Sequence, residues 1–285
     1  MPTLAPYRFA DGTVVLTGAA SGMGEHLAHG LAARGSHLVL IDRDAERLDA
    51  VATAIHDRYP GLNTRTVVLD LADRTALDAA AEQILDAHPR ITALINNAGV
   101  AMHGLFEELS ADEFDWVMRI NFHAPVALTR LLLPRLRQSP GSHIVNISSL
   151  FGLIAPPGQS AYASSKYALR GFSDALRHEL ADRQVGVTTV HPGGIRTRIA
   201  ETARTASRVG TDDARHGKAA FTNLLTYPAD KAAEQILSGI ERRRPRVLIA
   251  WSAIVPDLLA RAFPASYWSV MKRRHPATPR ATAHS

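Results

Sequence analysis

The stretch "NISSLFGLIAPPGQSAYASSKYALRGF" (146–172) carries the side chains best suited to chemistry. Tyr162 and Lys166 stand four residues apart near the start of a helical pattern, so they share one face. Ser149 closes the apolar run before them, thirteen residues ahead of the tyrosine. A free tyrosine titrates near ~10. An adjacent ammonium favours the phenolate and lowers that value toward the range in which general acid–base catalysis works. The set is suited to exchanging a proton with a substrate oxygen. A tyrosine and a lysine at this spacing also occur on helices with no shared role, so the pair needs company before it carries weight.

That company begins at "VVLTGAASGMGEHLA" (14–28), where a β-branched run stops at Gly18, Gly22 and Gly24, with Ser21 and Met23 inside the loop. Glycine costs backbone entropy, so three of them point to close approach or positive φ. A strand, a glycine loop and a helix N-terminus make an anion site, because unpaired N–H groups and the helix dipole face the loop. The spacing is Gly-x-x-x-Gly-x-Gly rather than the general dinucleotide fingerprint, and a turn made for tight packing is the plainer alternative. The second apolar run ends at Asp42, where an acidic residue would meet the adenosine ribose hydroxyls. Asp42 would repel a 2′-phosphate, which favours NAD. Arg43 beside it could pair with that phosphate, which keeps NADP open, although Ser21 adds no positive charge. Asp42 could instead cap the helix at 44–58, a role for which Asp44 competes.

The elements that must position these groups alternate. Strand-like runs at 13–18, 37–42, 64–71, 92–99, 143–149, 185–194 and 246–250 are separated by helical patterns at 23–34, 44–58, 73–88, 111–138, 160–183 and 229–242. Apolar strands with helical crossovers predict an α/β fold. It would be a doubly wound, mostly seven-stranded parallel sheet (Rossmann-like) with helices on both faces. No linker or repeat divides the chain, so residues 1–285 read as one dinucleotide-binding and catalytic domain with a core at about 10–250. Residues 196–226 form a polar insertion suited to a substrate lid, either a solvated, mobile one, the preferred reading, or one whose arginines meet an anionic handle. Residues 251–285 form an extension in which Pro256 and Pro264 predict short pieces, suited to covering the pocket or a subunit interface. The tail "RHPATPRATAHS" reads as disordered.

"TGAASGMG" (17–24), "NNAG" (96–99), Ser149 with "YASSK" (162–166), and "HPGGIRT" (191–197) together resemble the short-chain dehydrogenase/reductase family. The likeness covers about residues 10–250. It implies that Tyr162 is the general acid in reduction and the base in oxidation, and that Ser149 holds the substrate oxygen. Ser148 is then a structural or cofactor-side contact. Lys166 would lower the tyrosine pKa and hold the nicotinamide ribose, and Asn121 would hold a water in a proton relay. Asn97, Ala98 and Gly99 would form the turn against the adenosine ribose, and Asp70 and Leu71 would contact adenine. Pro192, Gly193, Ile195 and Thr197 would fix the nicotinamide carboxamide. Family members usually form dimers or tetramers, so the resemblance implies a homodimer or homotetramer.

Composition sets the outer limits. With 46% hydrophobic and 21% charged residues the chain is ordinary for a globular protein. Cysteine is absent, which removes thiolate chemistry. The charge of +5 is scattered, without the basic stripe of a nucleic-acid-binding protein. The histidines are dispersed, so no metal is expected, and His191 reads as a packed strand-end residue. No signal peptide or transmembrane run is expected, and the protein reads as cytoplasmic. Around Tyr162, the loops offer Leu150, Phe151, Leu153, Ile154, Met102, Leu105 and Phe106, which favour a small hydrophobic substrate. The reading is NAD(P)-dependent hydride transfer to or from a hydrophobic ketone or secondary alcohol. An epimerase or dehydratase on the same scaffold, or a non-catalytic cofactor sensor, are the alternatives.

Overall fold

β-branched and leucine-rich runs become the strands of one sheet, because only a surface covered on both faces satisfies them. A computed structural model describes residues 4–274 of the chain. The elements run β1 (Thr13–Thr17), α1 (Gly22–Ala32), β2 (His37–Asp42), α2 (Ala45–Arg58), β3 (Thr64–Val68), α3 (Arg74–Ala87) and β4 (Ile91–Asn96). Then come a short β5 (Met102–His103), α4 (Ala111–Met118), α5 (Ala124–Arg137), β6 (His143–Ile147), α6 (Ser160–Glu179) and β7 (Gly186–Pro192). The chain continues through α7 (Ile199–Thr202), β8 (Arg204–Thr205), α8 (Thr211–Leu224), α9 (Ala229–Glu241), β9 (Arg246–Ile249), α10 (Trp251–Ala262) and α11 (Tyr267–Arg274).

The main sheet is parallel throughout, in the order β3-β2-β1-β4-β6-β7-β9. This is the doubly wound arrangement read from the alternation of elements. From β1 the chain winds outward through β2 and β3, then returns to β4 on the other side of β1 and winds the opposite way. The crevice at the carboxyl ends of β1 and β4 is therefore the switch point, where such sheets bind ligands. One apolar layer joins strands to α1, α2 and α9, and a second joins them to α3, α5 and α6. Leu27 and Leu31 of α1 are fully buried, and each such side chain contributes about 1.5–3 kcal/mol.

Several boundaries differ from the sequence reading, each for a local reason. The third strand stops at Val68 instead of residue 71, because it is the sheet's edge and Val68 lies open to solvent. The helix expected over 111–138 is two helices joined by a π-helical turn, Arg119–His123. Pro125 has no N–H to give the carbonyls one turn back, and the widened turn absorbs that loss. The helix expected to reach 183 ends at Glu179, followed by a tight turn that leaves Gln184 left-handed. Pro256 was expected to break the extension, yet it lies inside α10, while Pro264 does separate α10 from α11. The disordered tail predicted beyond Arg274 lies outside the described residues.

The insertion at 196–226 is folded. Its β8 pairs in parallel with β5, so Arg204 N–H bonds the Ala101 carbonyl at 3.0 Å and Ala206 N–H the His103 carbonyl at 2.8 Å. Its two ends meet: Ile195 bridges Tyr227, Arg196 N–H donates to the Tyr227 carbonyl at 2.8 Å, and Tyr227 N–H donates to Gly194 at 2.9 Å.

Candidate active site

At the switch point the β1–α1 loop turns tightly. Gly18 is left-handed, with φ of 68°, and a Cβ on Gly24 would run into the Gly18 carbonyl. Only glycine fits both places. Ser21 starts α1 without a side-chain cap, so the first N–H groups of the helix are left for an anion. Asn97 locks the loop to the neighbouring strand: its side-chain amide donates to the carbonyls of Thr17 at 3.0 Å and Gly18 at 3.1 Å. The Thr17 hydroxyl in return accepts from Asn97 and Ala98 N–H, both at 3.1 Å.

Asp42 ends β2 with its carboxylate fixed by three backbone donors: Ala20 at 3.0 Å, Arg43 at 2.7 Å and Asp44 at 3.2 Å. Helix α2 is capped by Asp44, which accepts from Arg47 N–H at 3.3 Å. The capping alternative for Asp42 is thereby removed. Asp70 closes a local turn onto Ala72 N–H at 2.9 Å.

A cleft of about 750 Å³ runs from this loop to the Tyr162 end. Gly18, Ser21, Gly22, Met23, Gly24, Asp42, Arg43, Asp70, Leu71, Asn97, Ala98, Gly99, Ser149, Tyr162, Lys166, Pro192, Gly193, Ile195 and Thr197 all line it. The glycine cradle, the free helix N-terminus and a fixed carboxylate beyond it suit a dinucleotide in that order: pyrophosphate, then ribose. Asn121 is the exception. It is fully buried behind Gly99 and contributes no wall.

The reacting groups sit on two elements that the sheet brings together. Ser149 is extended at the end of β6, and its hydroxyl accepts from Phe151 N–H at 3.1 Å. This leaves its proton free, and the hydroxyl acts on Tyr162, whose pKa it works to lower. Lys166, one turn along α6, donates from Nζ to the Ile147 carbonyl at 3.0 Å and lies 5.7 Å from the Tyr162 ring centre. The Ser148 hydroxyl faces away, donating to the Lys166 carbonyl at 2.9 Å. Asn121, inside the π-helical turn, accepts Val100 N–H at 2.8 Å and donates to the Val100 carbonyl at 3.0 Å and the Ser165 hydroxyl at 3.1 Å. A Cβ on Gly99 would stand 3.2 Å from Lys166 Nζ and 3.3 Å from Asn121 Oδ1. The absence of that atom lets the turn, the lysine and the asparagine converge.

Electrostatics correct one expectation. Burial raises the Tyr162 pKa above its ordinary value, and the bond from Ser149 only opposes the rise. The Lys166 ammonium, 5.7 Å from the ring centre, does not bring it down here. Burial also lowers Lys166, from 10.5 to about 8. His191 is buried in β7 with Nδ1 3.1 Å from the Ser149 carbonyl, and burial lowers it to about 4. It is a packed strand residue.

The apolar walls were read only in part. Leu150, Phe151 and Ile154 line the cleft, whereas Leu153 is buried beneath the loop. Met102 packs in the core beside a small separate cavity. Leu105 starts a short turn, and Phe106 points outward against Phe114. Phe221 and Leu224 of the insertion, and Pro256, Trp268 and Met271 of the extension, also line the cleft. The lid arginines are engaged: Arg198 with Glu201 and Asp44, Arg204 over Trp116, Arg208 with the Glu107 carbonyl, Arg215 with Asp212.

The short chain dehydrogenase family profile matches residues 12–208. The chain belongs to that family. A relative, the putative oxidoreductase SadH of Mycobacterium tuberculosis, is 36% identical over 261 residues, covering 91% of this chain and 93% of its own. The dehydrogenase/reductase SDR family member 7B of Bos taurus is 37% identical over 244 residues, 84% of this chain and 74% of its own. Among solved structures, a short-chain dehydrogenase/reductase from Burkholderia phymatum in complex with NAD superposes with a TM-score of 0.82. It is 26% identical, covering 96% of this chain and 99% of its own. A short-chain dehydrogenase from Sphingobium yanoikuyae in complex with NADPH gives 0.73 at 31% identity, covering 94% and 98%. This short-chain dehydrogenase is thus a Rossmann-like oxidoreductase, and among its described residues no helix is long and apolar enough to cross a membrane.

Proposed function

We propose that this oxidoreductase transfers a hydride between a nicotinamide cofactor, NAD in preference to NADP, and a hydrophobic ketone or secondary alcohol. One observation carries the reading: Ser149, Tyr162 and Lys166 converge where the glycine-lined half of the cleft meets its apolar half. Relatives solved with NAD and with NADPH support the cofactor class. The fixed carboxylate of Asp42 supports NAD, since it would repel a 2′-phosphate, while Arg43 beside it is exposed.

The β1–α1 loop would hold the pyrophosphate, Asp42 the adenosine ribose, Lys166 the second ribose, and Pro192, Gly193, Ile195 and Thr197 the carboxamide. When bound, the nicotinamide supplies or accepts the hydride. The chain's own residues handle the proton. In reduction Tyr162 gives its hydroxyl proton to the carbonyl oxygen, which becomes the alcohol. Ser149 donates a hydrogen bond to the same oxygen and steadies the charge that develops there. Lys166 keeps an ammonium beside the phenolate left behind. Asn121, through Ser165 and Val100, holds the helix and loop on which the group depends.

The test is absorbance at the reduced-nicotinamide band with NAD⁺ and NADP⁺, each offered a size-graded panel of secondary alcohols. Turnover should favour NAD⁺ and fall by about 10²–10⁴-fold in Tyr162→Phe, the usual worth of a positioned proton donor. Turnover that survives in that variant would overturn the assignment.

A further inference from the structure

The last two helices lie beyond the seventh strand, yet they reach back to the reacting centre. Two loops around that centre and the last strand are fastened to them by polar contacts. The Ser252 hydroxyl at the start of α10 accepts Gly194 N–H at 3.1 Å, holding the segment after β7. Asp257 of α10, almost buried, takes both ends of the Arg246 guanidinium at 2.6 and 3.0 Å, holding the helix to β9. The Tyr267 hydroxyl of α11 accepts Ala155 N–H at 2.9 Å, holding the loop between Ser149 and Tyr162. The apolar face so fixed closes the cleft. Pro256, Trp268 and Met271 line it together with Ile154 of that loop and Phe221 and Leu224 of the insertion.

Charge is distributed unevenly along the same cleft. Asp42, Arg43, Asp44 and Asp70 stand at the ends of β2 and β3, and Arg198 is paired with Asp44 at 3.8 Å and Glu201 at 3.0 Å. Lys166 stands at the reacting centre. Past Tyr162 the described lining is hydrocarbon, aromatic ring and thioether, with the Thr202 hydroxyl at its edge and the Ser252 hydroxyl engaged by Gly194 N–H. An anionic handle, such as a carrier phosphate, would find no cation among these described lining residues and would lose its hydration.

We infer that α10 and α11 form the distal wall of the substrate site. On this basis the substrate is a neutral ketone or secondary alcohol with an extended hydrocarbon tail, seated between Trp268 and Met271 on one side and Phe221 and Leu224 on the other. The inference rests on the hydride-transfer reading for the reacting end only. Tyr267 is a positioning residue: it touches no substrate and sets where Trp268 stands.

The experiment measures kcat/KM for methyl ketones from butanone to dodecanone with the reduced cofactor, in the full chain and in Trp268→Ala and Tyr267→Phe. In parallel, dodecanol is titrated calorimetrically into the protein with oxidised cofactor present. For the wild type, kcat/KM should climb by up to about fourfold per added methylene, the transfer value of a buried CH₂. Trp268→Ala should cut the dodecanone-to-butanone ratio by about tenfold or more. Tyr267→Phe should raise KM for dodecanone and leave kcat close to the wild-type value, with an unchanged melting temperature. Ketone reduction with a flat length profile, or with the same profile in all three proteins, overturns the wall and leaves hydride transfer standing. Dodecanol binding that weakens in Trp268→Ala, with no ketone reduced, supports the wall and overturns hydride transfer. Neither reduction nor binding overturns both.

Discussion

Replacing Lys166 by methionine should make the cofactor-free protein more stable while abolishing its turnover. The lysine is buried, and burial lowers its pKa from 10.5 to about 8. Between those values the unfolded chain holds the proton and the folded chain does not, so stability rises with pH through this window and the cost of the buried charge is fully present below it. Converted to free energy, that cost is about 3 kcal/mol at pH 7, falling to about 1 kcal/mol by pH 10. Methionine matches the stem without the charge. It forfeits the bond to the Ile147 carbonyl, a loss of about 1 kcal/mol. The net expectation is a gain of about 2 kcal/mol at pH 7 that vanishes toward pH 10. Urea unfolding of both proteins at intervals from pH 7 to 10, stripped of cofactor, reads it directly. Their difference isolates the lysine, because every other group titrates in both. Parallel pH curves, or a variant less stable than the wild type at pH 7, would refute the reasoning.

Three further outcomes are expected. Asp42→Asn should move the NAD-to-NADP ratio of kcat/KM toward NADP by about tenfold, ~1.4 kcal/mol, read from initial rates with each cofactor; an unmoved ratio would remove Asp42 from cofactor choice. Gly24→Ala pushes a Cβ into the Gly18 carbonyl and should cost about 1–3 kcal/mol of stability, with a larger loss in cofactor affinity, measured by melting temperature and fluorescence titration. His191, held neutral by burial down to about pH 4, should withdraw about 3 kcal/mol of stability as pH falls from 6.5 through 4. His191→Asn should flatten that part of the acid unfolding curve, leaving the share due to buried His143, which burial also lowers.

The parts that were legible in the sequence are those written in short-range pattern. Seven apolar runs divided by helical stretches fix a parallel sheet, and the loop glycines, Asp42 and Ser149 fall at the strand ends that face the switch point, with Tyr162 and Lys166 on the helix that follows. What stayed hidden depends on contacts far apart in the chain. Trp268 and Met271 line the same cleft as Ile154 only because α11 folds back, and Tyr267 reaches Ala155 across 112 residues. Phe106 and Leu105 are apolar and near the site in sequence, but the turn they begin carries Phe106 to the surface. The π-helical turn had a visible cue in Pro125, which removes one N–H just after Asn121. The tyrosine's raised pKa had none, since composition does not tell burial from neighbouring charge.

The meeting of the two ends of the 196–226 insertion has a consequence for how this protein can change. Because Ile195 and Tyr227 are already bridged, the excursion between them is a closed loop whose length the sheet does not sense. Its closure entropy grows only slowly with length. The segment can be lengthened, shortened or exchanged with the frame of β7 and α9 undisturbed, and the pairing of β8 with β5 is the single register a replacement must reproduce. New substrates are therefore reachable by trading the part of this cassette beyond Thr197, with the proton-handling end of the cleft left as it is.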